Sequence, residues 1–241
     1  SNGTSLCLSP SVLSVEPTEN ATLQVAFDAL HFAPVAPFQY YVHARVSRIS
    51  PASGPVGGGT VVQVFGDNFK PGSHHQCWLG DGRVNATVHE HSCAETRCTE
   101  LRCTTPALSV LGTHPLRVTL NGQQASDETD FALYHTPTLV RLLPDNGDVV
   151  SSEASASALV RVVSDESGDG FPLGEGNGSD YRCLFGASVQ PATRSTPHEL
   201  RCRAPRVSSA GQVAFRVSLN GQQYGASLPF DLLLPPQVTS L

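Results

Sequence analysis

The chain contains no methionine, one lysine (Lys70) and one tryptophan (Trp78) in 241 residues, and its apolar runs are short. A transmembrane helix needs about 20 consecutive, mostly apolar residues. The best candidates, around Leu232-Leu233-Leu234 and Val61-Val62, fall far below that, so no membrane-spanning helix is expected in this stretch. Positive charge is scarce as well: 15 Lys+Arg against 21 Asp+Glu leave a formal charge of −6. That balance argues against nucleic acid or an anionic lipid surface as the main partner, because both are bound through clustered cations. The signatures of common catalysts are also missing. No Gly-x-Ser-x-Gly elbow occurs, and no lysine follows Gly57-Gly58-Gly59-Thr60 to complete a phosphate cradle. A non-enzymatic chain without cofactor is therefore expected. The missing methionine, with a start at Ser1-Asn2-Gly3-Thr4 and no signal-like apolar stretch behind it, reads as an excised part of something longer.

What is present is turn chemistry, cysteine and sequons. The 21 Gly and 18 Pro are spread along the chain, a distribution that disfavours long helices and suits many short strands joined by turns. Four N-x-Ser/Thr sequons stand at Asn2, Asn20, Asn85 and Asn177. One sequon recurs by chance, but four beside seven cysteines point to an N-glycosylated, secreted or cell-surface chain in an oxidising compartment. An odd cysteine count leaves one thiol without a partner inside the sequence.

Self-similarity organises the rest. Leu116-Arg117-Val118-Thr119-Leu120-Asn121-Gly122-Gln123-Gln124 matches Phe215-Arg216-Val217-Ser218-Leu219-Asn220-Gly221-Gln222-Gln223 at an offset of 99. Cys77-Trp78-Leu79-Gly80 matches Cys183-Leu184-Phe185-Gly186 at 106, and Arg48-Ile49-Ser50-Pro51 matches Arg141-Leu142-Leu143-Pro144 at 93. The offsets change only within polar, turn-rich segments, 164–180 and 89–98, where added length costs little closure entropy. A partial third copy precedes these: Cys7-Leu8-Ser9-Pro10 repeats a Cys-x-x-Pro signature, and residues 23–28 and 38–41 align with 116–121 and 131–134 at 93. Within each copy, short alternating runs such as Thr60-Val61-Val62-Gln63-Val64-Phe65 and 158–163 read as strands, and Asn121-Gly122 reads as a hairpin turn. About seven strands per copy, with turns every 8–12 residues or so, predict an all-β protein of immunoglobulin-like sandwiches.

The segment Arg48-Ile49-Ser50-Pro51-Ala52-Ser53-Gly54-Pro55-Val56-Gly57-Gly58-Gly59-Thr60, followed by Val64-Phe65-Gly66-Asp67-Asn68-Phe69, Cys77-Trp78-Leu79-Gly80 and Leu101-Arg102-Cys103-Thr104-Thr105-Pro106, closely resembles the IPT/TIG domain. This is an E-set-type immunoglobulin-like module found in tandem in plexins, hepatocyte-growth-factor-type receptors and fibrocystin-like ectodomains, and tandem copies without a semaphorin or kinase segment most resemble the fibrocystin-type extracellular array. The resemblance implies a truncated unit at 1–45, a full unit at 46–135, a divergent unit at 136–234 in which Asp145-Asn146-Gly147-Asp148 replaces the Ser-Gly-Pro segment, and a first strand of another unit at 235–241. It also implies bridges Cys77–Cys103 and Cys183–Cys202, which leaves Cys93–Cys98 as a local pair and gives Cys7 a partner upstream of Ser1. Linkers at Tyr134-His135-Thr136-Pro137 and Leu234-Pro235-Pro236 would have proline limiting their bending.

Two clusters invite metal chemistry. His74, His75, His89, His91, Cys93 and Cys98 gather in one stretch, with His89 and His91 placed to share one face of a strand; oxidised cysteines cannot ligate, so a solvated polar loop is the preferred reading. Asp165-Glu166-Ser167-Gly168-Asp169-Gly170 has the alternating oxygens of a calcium loop, with Asp165 and Asp169 as weak candidates, but Gly176 stands where an EF-hand needs its bidentate Glu. A flexible acidic insertion is preferred there too, and no metal is assigned.

The resemblance implies an extracellular spacer and recognition surface within a large cell-surface or secreted glycoprotein. Its partners would be neighbouring IPT/TIG domains, homotypic copies in a coat or filament, and proteins bound at sheet edges. Three alternatives remain open: a plexin-like receptor stalk, an accessory domain of a secreted carbohydrate-active enzyme, and a Rel-type transcription factor, the last disfavoured by the charge and the cysteine spacing.

Overall fold

The computed structural model describes residues 6–10, 19–26, 28–70, 72–93, 98–148, 158–172, 180–207 and 209–234. The chain is all-β: a two-stranded hairpin followed by two eight-stranded assemblies. The hairpin pairs β1 (Glu19–Val25) with β2 (Ala33–Tyr40). The first assembly comprises β3 (Arg45–Ser50), β4 (Ser53–Pro55), β5 (Val61–Asp67), β6 (Gln76–Leu79), β7 (Gly82–Val88), β8 (Glu100–Thr104), β9 (Gly112–Thr119) and β10 (Thr129–Tyr134), in the order β3-β5-β8-β7-β6-β9-β10-β4. The second comprises β11 (Leu139–Leu143), β12 (Asn146–Asp148), β13 (Leu159–Ser164), β14 (Arg182–Phe185), β15 (Ser188–Thr196), β16 (Glu199–Arg203), β17 (Gly211–Ser218) and β18 (Leu228–Leu233), in the equivalent order β11-β13-β16-β15-β14-β17-β18-β12.

Each assembly is a sandwich because one strand changes layers. The first half of β7 pairs with β6, and Ala86, Thr87 and Val88 pair with β8. In the second assembly β15 leaves β14 after Pro191, which has no N–H to donate to a ladder, and joins β16 from Ala192 onward. The alternation read in the sequence faces the space between the layers. In β5, Val62 and Val64 are fully buried, while the outward Phe65 ring is covered by the Arg48 guanidinium 3.6 Å from its centroid. Phe69 and Phe131 fill the first core, and Phe171, Phe185, Phe215 and Phe230 the second. Cys77 on β6 is bonded to Cys103 on β8, and Cys183 on β14 to Cys202 on β16, so each bridge ties one layer to the other.

The repeat extends to the hairpin with the same register. Glu19↔Tyr40, Ala21↔Phe38 and Leu23↔Ala36 in β1–β2 correspond at offset 93 to Gly112↔Leu133, His114↔Phe131 and Leu116↔Thr129 in β9–β10.

Two local expectations are corrected. The Asn121-Gly122 pair does not close a two-residue hairpin: only Gly122 has positive φ (74°), and β10 begins at Thr129. The reason is that Asn121 spends its side chain locally, its Oδ1 accepting the backbone N–H groups of Gln123 (2.9 Å) and Gln124 (3.1 Å). His89 and His91 also do not share a strand. The Cys93–Cys98 bridge closes a sequence separation of 5 and Glu90–Ser92 form a 3₁₀ turn, so the rings meet edge to face with centroids 5.4 Å apart. The expected first strand at 235–241 lies outside the described residues.

Candidate functional site

Among the described residues, the most extensive side-chain hydrogen-bond cluster lies where the second sandwich meets the first. It is built on turn 220–223, which follows β17. Asn220 is 4% exposed, and its Oδ1 accepts the N–H groups of Gln222 and Gln223, both at 3.1 Å, and the Ser218 hydroxyl at 3.2 Å. That fixes the turn and aims three amide side chains at segment 53–61 of the first sandwich. Gln222 donates from Nε2 to the Val61 carbonyl and accepts the Val61 N–H at Oε1, both at 2.9 Å, so it holds both backbone groups of one residue as a neighbouring strand would. The Nε2 group of Gln223 donates to the Gly59 carbonyl at 2.7 Å, and its Oε1 accepts the Thr60 hydroxyl at 3.1 Å. Asn220 Nδ2 donates to Thr60 Oγ1 at 3.2 Å and to the Ser53 carbonyl at 3.4 Å.

The receiving segment is shaped for this. Gly58 and Gly59 adopt φ of 75° and 82°, and a Cβ on Gly58 would lie 2.6 Å from the Pro106 carbonyl carbon, so the chain can turn against β8's exit only as glycine. Thr60 is fully buried and held from both sides: its N–H donates to Thr105 Oγ1 (3.1 Å), and its carbonyl accepts the Thr105 N–H (2.8 Å).

A second contact is apolar. Tyr134 ends β10, yet its side chain is buried in the core cluster of the second sandwich. Burial, reinforced by neighbouring Tyr181, drives its phenol well above the usual tyrosine range, and the hydroxyl meets no partner among the described residues. The Tyr134 carbonyl remains in the first sandwich, where it accepts the Val56 N–H at 2.9 Å. Beyond it His135 Nδ1 pairs with Asp169 Oδ2 at 3.0 Å, and Gly225 lies beside Thr136 and Pro137, where a Cβ would come 3.1 Å from Thr136 Cγ2. The linker is therefore seated on both of its flanks.

The residues singled out in the sequence are distributed as follows. Asn20 on β1 and Asn85 on β7 are solvent-exposed, whereas Asn2 and Asn177 lie outside the described residues. Cys93 is bonded to Cys98, and Cys7 is an exposed free thiol. Asp165 and Asp169 do not converge: Asp165 accepts the Ser167 N–H at 2.9 Å, which holds its carboxyl below the usual range, while Asp169 faces His135. His75 Nε2 bonds the Phe69 carbonyl at 3.0 Å. Among the described residues no group of three or more His, Cys, Asp or Glu is placed to hold a metal.

Sequence reasoning missed the joint, having matched Asn220-Gly221 only as the repeat of Asn121-Gly122 and taken proline as the element limiting the linker. One signal was available. The turn itself needs only Asn-Gly, yet both copies continue with Gln-Gln.

The sequence profile of the IPT/TIG domain matches residues 44–133 and 167–232. Fibrocystin-L of Mus musculus is 30% identical over 126 residues, which are 51% of this chain and 3% of that protein. Among solved structures, the plexin A4 full extracellular region, domains 1 to 10, superposes with a TM-score of 0.50 at 17% identity, over 90% of this chain and 19% of that one. The chain thus spans only a small part of either relative, and the likeness to plexin A4 is one of fold.

Proposed function

The chain belongs to the IPT/TIG domain family, and we propose that it is a non-enzymatic segment of an extracellular glycoprotein in which the sandwiches act as a fixed-angle spacer that carries protein-recognition surfaces. The observation that carries this reading is the joint. Three amide side chains of one sandwich bond the backbone and Thr60 of the other, and Tyr134 crosses between them. Independent domains on a loose tether need neither contact. A chain that must hold or present its neighbours at a defined angle needs both.

The extracellular placement is supported by the three disulfides among the described residues and by the similarity to Fibrocystin-L. Exposed Asn20 and Asn85 are the proposed glycan carriers within the described residues, with Asn2 and Asn177 as further acceptors. Glycans there would keep those faces hydrated and leave the remaining sheet edges for protein partners, including homotypic ones in a coat or filament.

Residual dipolar couplings measured on the full chain test the spacer role. A fixed joint requires both sandwiches to obey one alignment tensor; two different tensors would defeat it. Mass mapping of the native protein without reduction tests the compartment, and free thiols at Cys77 and Cys103 would overturn that part.

A further inference from the structure

The joint has an empty counterpart at the other end of the first sandwich. Turn 121–124 copies turn 220–223 in sequence, and Asn121 builds it with the same two backbone bonds. In the second sandwich this turn grips segment 53–61. In the first, Gln123 and Gln124 are exposed and bond nothing beyond the turn among the described residues. Asn121 and Gln124 of the turn line an open cleft of about 730 Å³ together with Pro10 and, from β2 and its exit, Phe38, Tyr40 and Tyr41.

That hairpin is itself half of something. Its register is that of β9–β10, but the side chains that are core in the complete sandwich are bare: Phe38 is 39% exposed where Phe131 is 0%, and Leu23 is 37% exposed where Leu116 is 1%. Tyr41 stands 93 residues before Tyr134 and packs on the first core as Tyr134 packs in the second. In the complete sandwich β4 adds in parallel to β10 at Ala132, Leu133 and Tyr134, then runs through the Gly-rich turn to meet turn 220–223. The matching positions on β2 and just beyond it are Gln39, Tyr40 and Tyr41, and all three line the cleft. One extended segment would therefore satisfy both the hairpin and the turn.

We infer that this cleft is the receptor for a Ser-Gly-Pro-x-Gly-Gly-Gly-Thr-type edge segment, supplied by the first half of the sandwich to which β1 and β2 belong. The inference rests on the reading of the chain as one stretch of an IPT/TIG array. The segment adds as a parallel strand along Gln39, Tyr40 and Tyr41, and its glycine carbonyl and threonine hydroxyl meet Gln124. Gln123 holds the backbone N–H and C=O of the next residue through both of its amide atoms, as Gln222 holds Val61. A second copy of this chain is not the occupant, because its own segment 53–61 is already bonded between β10 and turn 220–223.

The probe is a synthetic peptide with the sequence of residues 51–63, titrated into the isotopically labelled full chain and, separately, tethered to its N-terminus by a flexible linker so that the local concentration is millimolar. Amide shifts are expected at Gln39, Tyr40, Tyr41 and residues 121–124. Gln123→Ala in the protein, or Thr60→Val in the peptide, is expected to weaken binding about tenfold, as loss of a bidentate amide contact or of a buried hydroxyl bond would. Both sites are changed without touching a core side chain. The inference is overturned if neither form moves those amides, if a scrambled peptide moves them equally, or if the peptide perturbs only residues 220–223 by displacing the resident segment. A shared alignment tensor with no peptide response leaves the spacer reading intact and removes this inference alone.

Discussion

Replacing Asn220 by alanine should cost more than replacing Asn121, and the difference isolates the joint. Both side chains accept two turn amides at 2.9–3.1 Å and a neighbouring hydroxyl at 3.2–3.4 Å, so both variants lose the same local frame. At about 0.5–1.5 kcal/mol net per bond, that shared part of three bonds comes to about 1.5–4.5 kcal/mol in each variant. Only Asn220 also donates to Thr60 Oγ1 and the Ser53 carbonyl across the joint. Thr60 retains Gln223 as an acceptor while the Ser53 carbonyl loses the Asn220 donor, and the extra loss for Asn220→Ala is about 1–3 kcal/mol.

Asn220→Asp separates turn from joint. A carboxylate keeps every accepted bond but presents oxygen to Thr60 Oγ1, to the Ser53 carbonyl and to Gln223 Oε1, where the amide had presented N–H groups. It should preserve the fold and release the interface. The assays are amide hydrogen exchange, which reports each sandwich separately, and dipolar couplings for their relative orientation. Equal losses for Asn220→Ala and Asn121→Ala, within the roughly 0.3 kcal/mol expected of independent sites, would refute the argument. So would an unchanged orientation in Asn220→Asp.

Three further outcomes are expected. Tyr134→Phe removes a buried hydroxyl that has no partner among the described residues and should be neutral or stabilising by up to about 1 kcal/mol in denaturant titrations, whereas Tyr134→Ala should cost the second sandwich about 3–5 kcal/mol. Glu199 is held down to about 2 from 4.5 by its hydrogen bonds to Arg161 and then Arg201. Its folded value lies below its unfolded one, so its contribution is full above pH 4.5 and is lost as pH falls towards 2. Because both arginines are half exposed, the loss should be about 1–2 kcal/mol, and it should be absent from the acid titration of Glu199→Gln. Removing Cys183–Cys202 as a double serine variant should cost the second sandwich about 3 kcal/mol, the chain-entropy value for a loop of that size, read as a shift in its denaturation midpoint with the first sandwich unmoved.

The sandwiches were legible in the sequence because their causes are local. Val62 and Val64 alternate with Val61, Gln63 and Phe65, and that period alone sets which side of β5 is buried. The internal repeat likewise set residues 23–28 and 38–41 beside 116–121 and 131–134, and the β1–β2 pairing follows β9–β10 at that same offset. The histidine pair was misread because strand alternation was assumed to run on into residues that the Cys93–Cys98 closure bends into a turn. The joint was illegible for a different reason. Asn220 and Thr60 are 160 residues apart, and no periodicity in either segment records where one sandwich comes to rest on the other. Tyr134 is similar: alternation with Phe131 and Leu133 sets it on the face of β10 turned away from the first core, and nothing within the strand records that the second core covers it.

The repeat preserves the fold more strictly than the joint, and the position of Thr60 shows why these must be distinguished. In the second sandwich Ala158 occupies that position: its carbonyl accepts the Ala204 N–H at 2.8 Å just as the Thr60 carbonyl accepts that of Thr105 at 2.8 Å. The backbone bond that builds the sandwich is kept, but the hydroxyl that receives Asn220 is absent. The sequence before it has diverged as well, Asp145-Asn146-Gly147-Asp148 standing where Ser-Gly-Pro stood. Sandwich folding constrains Thr60 only as a backbone donor and acceptor, which alanine satisfies; docking constrains its side chain. Thr60→Ala is therefore expected to leave the first core intact while loosening the joint, with hydrogen exchange in β5 and β8 unchanged and the two sandwiches no longer sharing one alignment tensor. Loss of protection throughout the first sandwich would instead mean that the hydroxyl serves the fold, and the joint would lose its claim to a separate set of residues.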